Sequence, residues 1–229
     1  MPLMRPSHAV ICVATLVLGF ARPTPAPAPG PVSGRLTVME RNNKTASDVG
    51  TAVVWLEAAG ARSSAPRTFD VTAEGKDFRP RVLVVPVGST VRFPNNDPFN
   101  HNVFSLSDEG AFDLGLYGRG ETKLTKFTTP GLIRVYCNVH ANMAAFVLVL
   151  GSVYFTQPGG DGSFTIPAVP AGKYVLHAWH ERAADMKRDV EVTAQGLTNL
   201  DLQLDARGFK FVQHLNKFGQ PYSRGGARY

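Results

Sequence analysis

Cysteine is almost absent: Cys12 and Cys137 are the two in 229 residues. Cys12 lies inside an uncharged, largely apolar run at 9–20 that follows Arg5, the pattern of a secretory leader. The run is too short for a membrane helix, which needs ~20 residues. Gly19-Phe20-Ala21 places small residues where a signal peptidase reads them, so cleavage is expected after Ala21. A leader at 1–21 predicts a periplasmic protein without a stable membrane span. Cys137 is then the one cysteine left, which excludes an internal disulfide in a compartment that favours them.

Acidic residues are missing from both ends. All 18 fall between Glu40 and Asp205; two of the 24 basic residues precede residue 32 and five follow residue 206, leaving 17 bases against those 18 acids. The formal charge of +6 therefore belongs to the ends. A nucleic-acid groove needs bases clustered on the fold itself, and this near-neutral middle offers none, so nucleic acid is not an expected partner.

Long amphipathic helical patterns are missing as well. Short alternating apolar runs recur instead at 35–39, 53–56, 82–85, 90–93, 103–106, 122–127, 133–136 and 145–149, then at 163–166, 174–179, 190–192 and 200–204. Strands at this spacing, punctuated by Gly, Pro, Asn and Asp, predict an all-β chain of one or two sandwiches. The expected divisions are a Pro/Ala spacer at 22–31, an N-terminal β segment at 32–60, a main sandwich at 67–150, a second β unit at 151–205 and a basic tail at 206–229.

The chemistry concentrates in Tyr136-Cys137-Asn138-Val139-His140-Ala141-Asn142-Met143. Cys137, His140 and Met143 put a thiolate, an imidazole and a thioether within one tight loop. A thiolate and two imidazoles in a trigonal plane with a weak axial Met form a blue-copper electron-transfer site. The second imidazole has to come from an earlier strand end, and His101 in Phe99-Asn100-His101-Asn102-Val103 fits. Each residue alone has an ordinary reading: a loop histidine, a core methionine, a buried thiol. Structural zinc is the competing metal, but it normally closes with Cys and His ligands, and Met suits it poorly.

Val87-Gly88-Ser89-Thr90-Val91-Arg92-Phe93, Asn96, His101-Asn102-Val103, Pro130-Gly131 and the Cys137-x2-His140-x2-Met143 loop occur in an order that resembles the plastocyanin/azurin-like cupredoxins. The loop spacing is most similar to that of amicyanin. The resemblance covers about 69–150 and implies a Greek-key β-sandwich holding one type 1 copper ion. It also implies that His101 is the buried imidazole, that His140 reaches the surface, and that Asn102 ties the two ligand loops together. Phe99, Pro98, Ala141 and Ala144 would then form an apolar docking patch. A transient redox partner, such as a c-type cytochrome or a periplasmic dehydrogenase, would meet it through a small interface. Along the whole chain the resemblance is to methylamine-utilisation-type cupredoxin proteins with an appended β domain.

That appended unit, 151–205, resembles the second half of a small transthyretin-like or carboxypeptidase-regulatory-like sandwich through Asp161-Gly162-Ser163-Phe164, Val169-Pro170-Ala171-Gly172-Lys173-Tyr174 and Leu200 to Leu204. The first half of the pattern occurs far upstream, as Val32-Ser33-Gly34-Arg35-Leu36 and Ala52-Val53-Val54-Trp55-Leu56. Two arrangements stay open: the copper sandwich is inserted into the other one, or 32–57 adds strands to the copper sandwich. His177 and His180 alternate across a strand and so do not share an ion readily; Trp179 is expected to pack at the junction. The aromatic-basic tail, with His214, is read either as frayed or as a docking segment for an acidic partner or lipid headgroups.

His101, His140, His177, His180 and His214 are too few for a trinuclear copper cluster, which argues against a multicopper enzyme. Met- or His-rich repeats of a copper store are lacking too. The expectation is a non-enzymatic single-electron carrier; the alternative is a binding module with a vestigial or copper-handling site.

Overall fold

The structure is a computed structural model describing residues 28–58 and 63–222. The expected leader at 1–21, most of the spacer and the last residues of the tail lie outside the described residues. The chain is all-β, as its alternation predicts. β1 (Gly30–Met39) and β2 (Val53–Glu57) come first, separated by single 3-10 turns at Arg41–Asn43 and Val49–Thr51. Ten strands follow: β3 (Thr68–Asp70), β4 (Thr72–Ala73), β5 (Phe78–Arg79), β6 (Val82–Pro86), β7 (Thr90–Pro94), β8 (His101–Ser105), β9 (Phe112–Tyr117), β10 (Thr122–Lys126), β11 (Gly131–Cys137) and β12 (Ala144–Leu150). β13 (Phe155–Thr156), β14 (Ser163–Val169), β15 (Gly172–Trp179), β16 (Met186–Val192) and β17 (Leu197–Asp205) complete the order. No described helix is long and apolar enough to cross a membrane.

These strands make two sandwiches, one inside the other in sequence. The inner sandwich packs a five-stranded sheet, β6-β12-β11-β8-β9, on a three-stranded one, β10-β7-β3. The outer sandwich packs β14-β1-β17 on β13-β2-β15-β16. β1 lies antiparallel to β14 and parallel to β17, and β2 lies between β13 and β15. Among the described residues neither N-terminal strand pairs with a strand of 67–150, so the inner sandwich is an insertion.

The alternation of the flanks now has a cause. Leu36, Val38, Val54 and Leu56 face Phe164, Ile166, Leu176 and Leu202 in the outer core. Gly34 is required where β1 meets β17, since a Cβ there would sit 2.1 Å from the Leu200 carbonyl oxygen. The spacer ends sooner than its composition suggests, because β1 already begins at Gly30. Pro31 gives a ladder no N–H, and it is tolerated at the register shift between Gly30 and Val32.

β12 is buried along its whole length. Ala145, Val147 and Val149 fill the inner core, while Phe146, Leu148 and Leu150 face Val53, Val82, Val84 and Trp179 across the junction. A strand covered on both faces reads as an unbroken apolar run, and Ala144-Ala145-Phe146-Val147-Leu148-Val149-Leu150 is one. Trp179, 4% exposed, packs its ring 5.5 Å from that of Phe146. Beside it Arg81 forms a two-pronged ion pair with Glu181, at 2.6 and 2.8 Å, and donates to the Ala144 carbonyl at 3.0 Å.

Removing the indole leaves a junction cavity. Trp179→Ala is expected to cost ~3 kcal/mol and to split a single unfolding transition into two, as calorimetry would record. An unsplit transition at the original temperature would mean that this contact does not couple the sandwiches.

Candidate metal centre

β8 and β11 are neighbours, with Val103 opposite Cys137 and Phe104 opposite Tyr136. His101 at the start of β8 and Cys137 at the end of β11 therefore meet at the same end of the sheet. The chain returns from Cys137 to β12 through 138–143. Two bonds tighten that turn: the Met143 amide donates to the His140 carbonyl at 3.0 Å, and the Cys137 amide to the Met143 carbonyl at 3.3 Å.

Three side-chain atoms converge here. Cys137 Sγ lies 3.6 Å from His101 Nδ1 and 3.7 Å from His140 Nδ1, and the two nitrogens are 3.2 Å apart. A point equidistant from these three atoms lies about 2 Å from each, the length of a metal–nitrogen bond and slightly less than a metal–sulfur bond. Met143, at the far end of the same loop, is fully buried in the core that contains Cys137. Among the described residues no other group of His, Cys, Asp and Glu side chains has this arrangement.

Protonation fits a metal better than a hydrogen-bond cluster. The Nε2 of buried His101 lies 2.9 Å from Asp97 Oδ2. Burial works to raise the Asp97 carboxyl, but the Lys76 and Gly75 amides and His101 outweigh it and hold it below the usual carboxylate range. An ionised carboxylate only accepts, so His101 carries its proton on Nε2 and turns a bare Nδ1 lone pair toward Cys137 and His140. Burial pushes both histidines below their ordinary value, with the neighbouring His101 and Lys76 pushing His140 further. Burial raises the Cys137 thiol against the pull of the Asn102, Val139 and His140 amides. A metal ion would displace that proton on binding. Two neutral imidazoles, one thiol that a metal would deprotonate and a buried thioether form a donor set that fits type 1 copper.

The second layer differs from expectation in places. Asn102 ties the two loops through its backbone, its carbonyl accepting from the Asn138 amide at 2.9 Å; its side chain donates to Asp113 at 2.6 Å. His140 is partly exposed in a shallow depression lined by Lys76, Pro98, Phe99, Asn100, Leu116 and Val139. Phe99 and Pro98 belong to this surface as anticipated. Ala144 does not, because it opens the fully buried β12, and Leu116, half exposed, takes its place. His177 stacks on Trp55 at 4.6 Å and lies 3.2 Å from Glu57, whereas His180 is buried 3.6 Å from Asp48; the strand alternation keeps them apart.

Two contributors have no signature in sequence spacing. Asp97 stands in an Asn-Asn-Asp-Pro turn that reads only as a loop. The tail is the other: Tyr222 Oη donates to the Cys137 carbonyl at 2.6 Å, and His214 stacks on Tyr136 with ring centres 4.2 Å apart.

Residues 67–150 match the family of copper binding proteins described as plastocyanin/azurin. Residues 149–200 match the family described as polysaccharide lyase family 4, domain II. Plastocyanin of Ulva arasakii is 36% identical over 75 residues, covering 28% of this chain and 74% of that protein. A Cu-containing nitrite reductase from Thermus scotoductus aligns with 42% of this chain at 31% identity and a TM-score of 0.35, and the chain spans only 25% of the reductase. An amicyanin variant in the Cu(I) state aligns with 41% of this chain and 86% of its own length, at 23% identity and a TM-score of 0.34.

Two outcomes are expected. Asp97→Asn removes the carboxylate that orients His101, which should weaken copper binding about ten-fold or more in a chelator competition and raise the reduction potential. Stability of the metal-free chain should depend on pH with a defined sign. His101, His140, His177, His180 and His214 are all held below 6.5, mainly by burial. The unfolded chain therefore takes up these protons first. Stability should be fully present above pH 6.5 and lost as pH falls through the depressed values, as thermal unfolding over a pH series would record.

Proposed function

Because the chain belongs, through residues 67–150, to the plastocyanin/azurin family of copper binding proteins, we propose that it is an exported, periplasmic carrier of single electrons. The observation that carries this reading is the triangle of His101 Nδ1, Cys137 Sγ and His140 Nδ1. His101, Cys137 and His140 would hold a copper ion, with Met143, buried at the end of the same loop, as the fourth candidate donor. Copper bound there would supply a one-electron couple.

The chain's part is to hold the donors still. His101 is fixed by Asp97 from behind, and Cys137 and Met143 are fixed by the hairpin and the core. Fixed donors leave little to rearrange when the charge on the centre changes. Three converging donors, with buried Met143 beside them, would leave little room for a substrate on the metal, which supports a carrier over an enzyme. His140 is the partly exposed member of the cluster, so its imidazole is the edge a redox partner would reach. Phe99, Pro98, Leu116 and Val139 around it suit a brief encounter with a c-type cytochrome or a periplasmic dehydrogenase.

Export rests on the leader pattern at 1–21. The outer sandwich is read as transthyretin-like, and the whole chain as methylamine-utilisation-type; the motifs at 32–36, 52–56 and 161–174 support this.

Copper-loaded protein should show an intense thiolate-to-copper absorption band in the red. Cys137→Ser should abolish it, since a hydroxyl is far less acidic and a harder donor. Met143→Leu should keep the colour and raise the potential, because losing a donor disfavours Cu(II). An unchanged spectrum in the serine variant would sink the assignment.

A further inference from the structure

We infer that Tyr222 is a positioning residue for the metal centre, acting through the Cys137 carbonyl, and that the tail at 207–222 is the strap that delivers it. The path of the tail is specified by bonds along its length. Arg41 holds the carbonyls of Arg207 and Phe209 as the chain leaves β17. The tail then crosses the inner sandwich beside Tyr136, Ala141 and Asn142, and the His214 ring lies parallel to that of Tyr136, tilted by 13°. A turn closed by Asn216 reverses it: the Asn216 amide donates to the Gln220 carbonyl at 2.8 Å, and Asn216 Oδ1 accepts from the Phe218 and Gln220 amides. That reversal returns Tyr222 to Cys137, with its Oη 3.4 Å from His214 Nδ1.

The strap touches both ligand loops. The Lys217 amide donates to Asn138 Oδ1 at 3.0 Å, next to Cys137. Lys217 Nζ pairs with Asp113 at 2.7 Å, and Asp113 in turn holds the side chain of Asn102, next to His101. A frayed end would make none of these contacts; three of them fall on Cys137 or its neighbours Tyr136 and Asn138, and a fourth reaches Asn102 through Asp113. The strap fixes the Cys137 peptide, from which Sγ projects.

The copper readouts below rest on the function proposed above, whereas thiol labelling does not. The test uses the full chain as Tyr222→Phe, which removes only the hydroxyl, with Phe211→Ala in the exposed part of the tail as control. Alkylation of Cys137 by iodoacetamide in the metal-free chain, read on its own peptide by mass, should be about five-fold faster in Tyr222→Phe, the worth of one hydrogen bond. Copper release to a chelator should quicken similarly, and the thiolate-to-copper band should shift; Phe211→Ala should match the unaltered chain in all three. Unaltered labelling, release and band in Tyr222→Phe would overturn the inference, as would equal acceleration in the control. If the unaltered chain gives no blue band while Tyr222→Phe alone labels faster, the strap stands and the carrier reading fails. A blue band with labelling that ignores Tyr222 would leave the carrier reading standing and overturn the strap.

Discussion

Everything in this molecule leans on β12, a strand with no free face. One row of its side chains closes the core around the metal centre, and the other closes the junction with the outer sandwich. Its first residue follows Met143 directly, so the hairpin that carries three candidate ligands is anchored in a strand buried at every position. Interiors at crystal-like density resist small displacements. A ligand loop tied to such a strand inherits that stiffness, which is what an electron-transfer site needs.

The centre is assembled from the outside in. Backbone amides of Gly75 and Lys76 hold Asp97, Asp97 holds His101, and His101 presents one lone pair to the other donors. On the opposite side the Cys137 carbonyl is met by Tyr222. The imidazoles turn lone pairs inward and the thiol can give up its proton, so a metal cation is the group that completes the site.

Part of this was legible in the amino-acid sequence for reasons of chemistry. Cys137, His140 and Met143 lie close enough along the chain for a single turn to gather them, so their spacing alone carries meaning. Period-two alternation at 35–39 and 53–56 marked strands, though not their partners, because alternation says which face is buried and never against what. The matching first-half and second-half motifs made insertion one of two arrangements, and only the ladders from β1 to β14 and β17 decide between them. Asp97 and Tyr222 escaped because each acts on a group through a fold contact. Nothing in an Asn-Asn-Asp-Pro turn or in a basic, glycine-containing tail announces such a partner. Alternation across β15 correctly kept His177 and His180 apart, yet it could not supply Trp55 and Asp48 as their neighbours.

The insertion also sets a timetable. A chain that emerges N-terminus first, from a ribosome or a secretion channel, releases β1 and β2 long before their partners. Val32 in β1 waits for Leu197 in β17, an interval on the order of ten seconds at ordinary rates of synthesis. During that interval the inner sandwich has every strand it needs, while β1 lacks β17 and has an unpaired edge open to wrong pairing. Closing so long a loop adds little entropy cost beyond that of a short one, since the cost grows only with the logarithm of length. The completed inner sandwich helps further, because it brings residues 67 and 150 into one compact body and so shortens the effective distance between the flanks. Every strand of the metal-site module is thus made before the last partner of β1 exists.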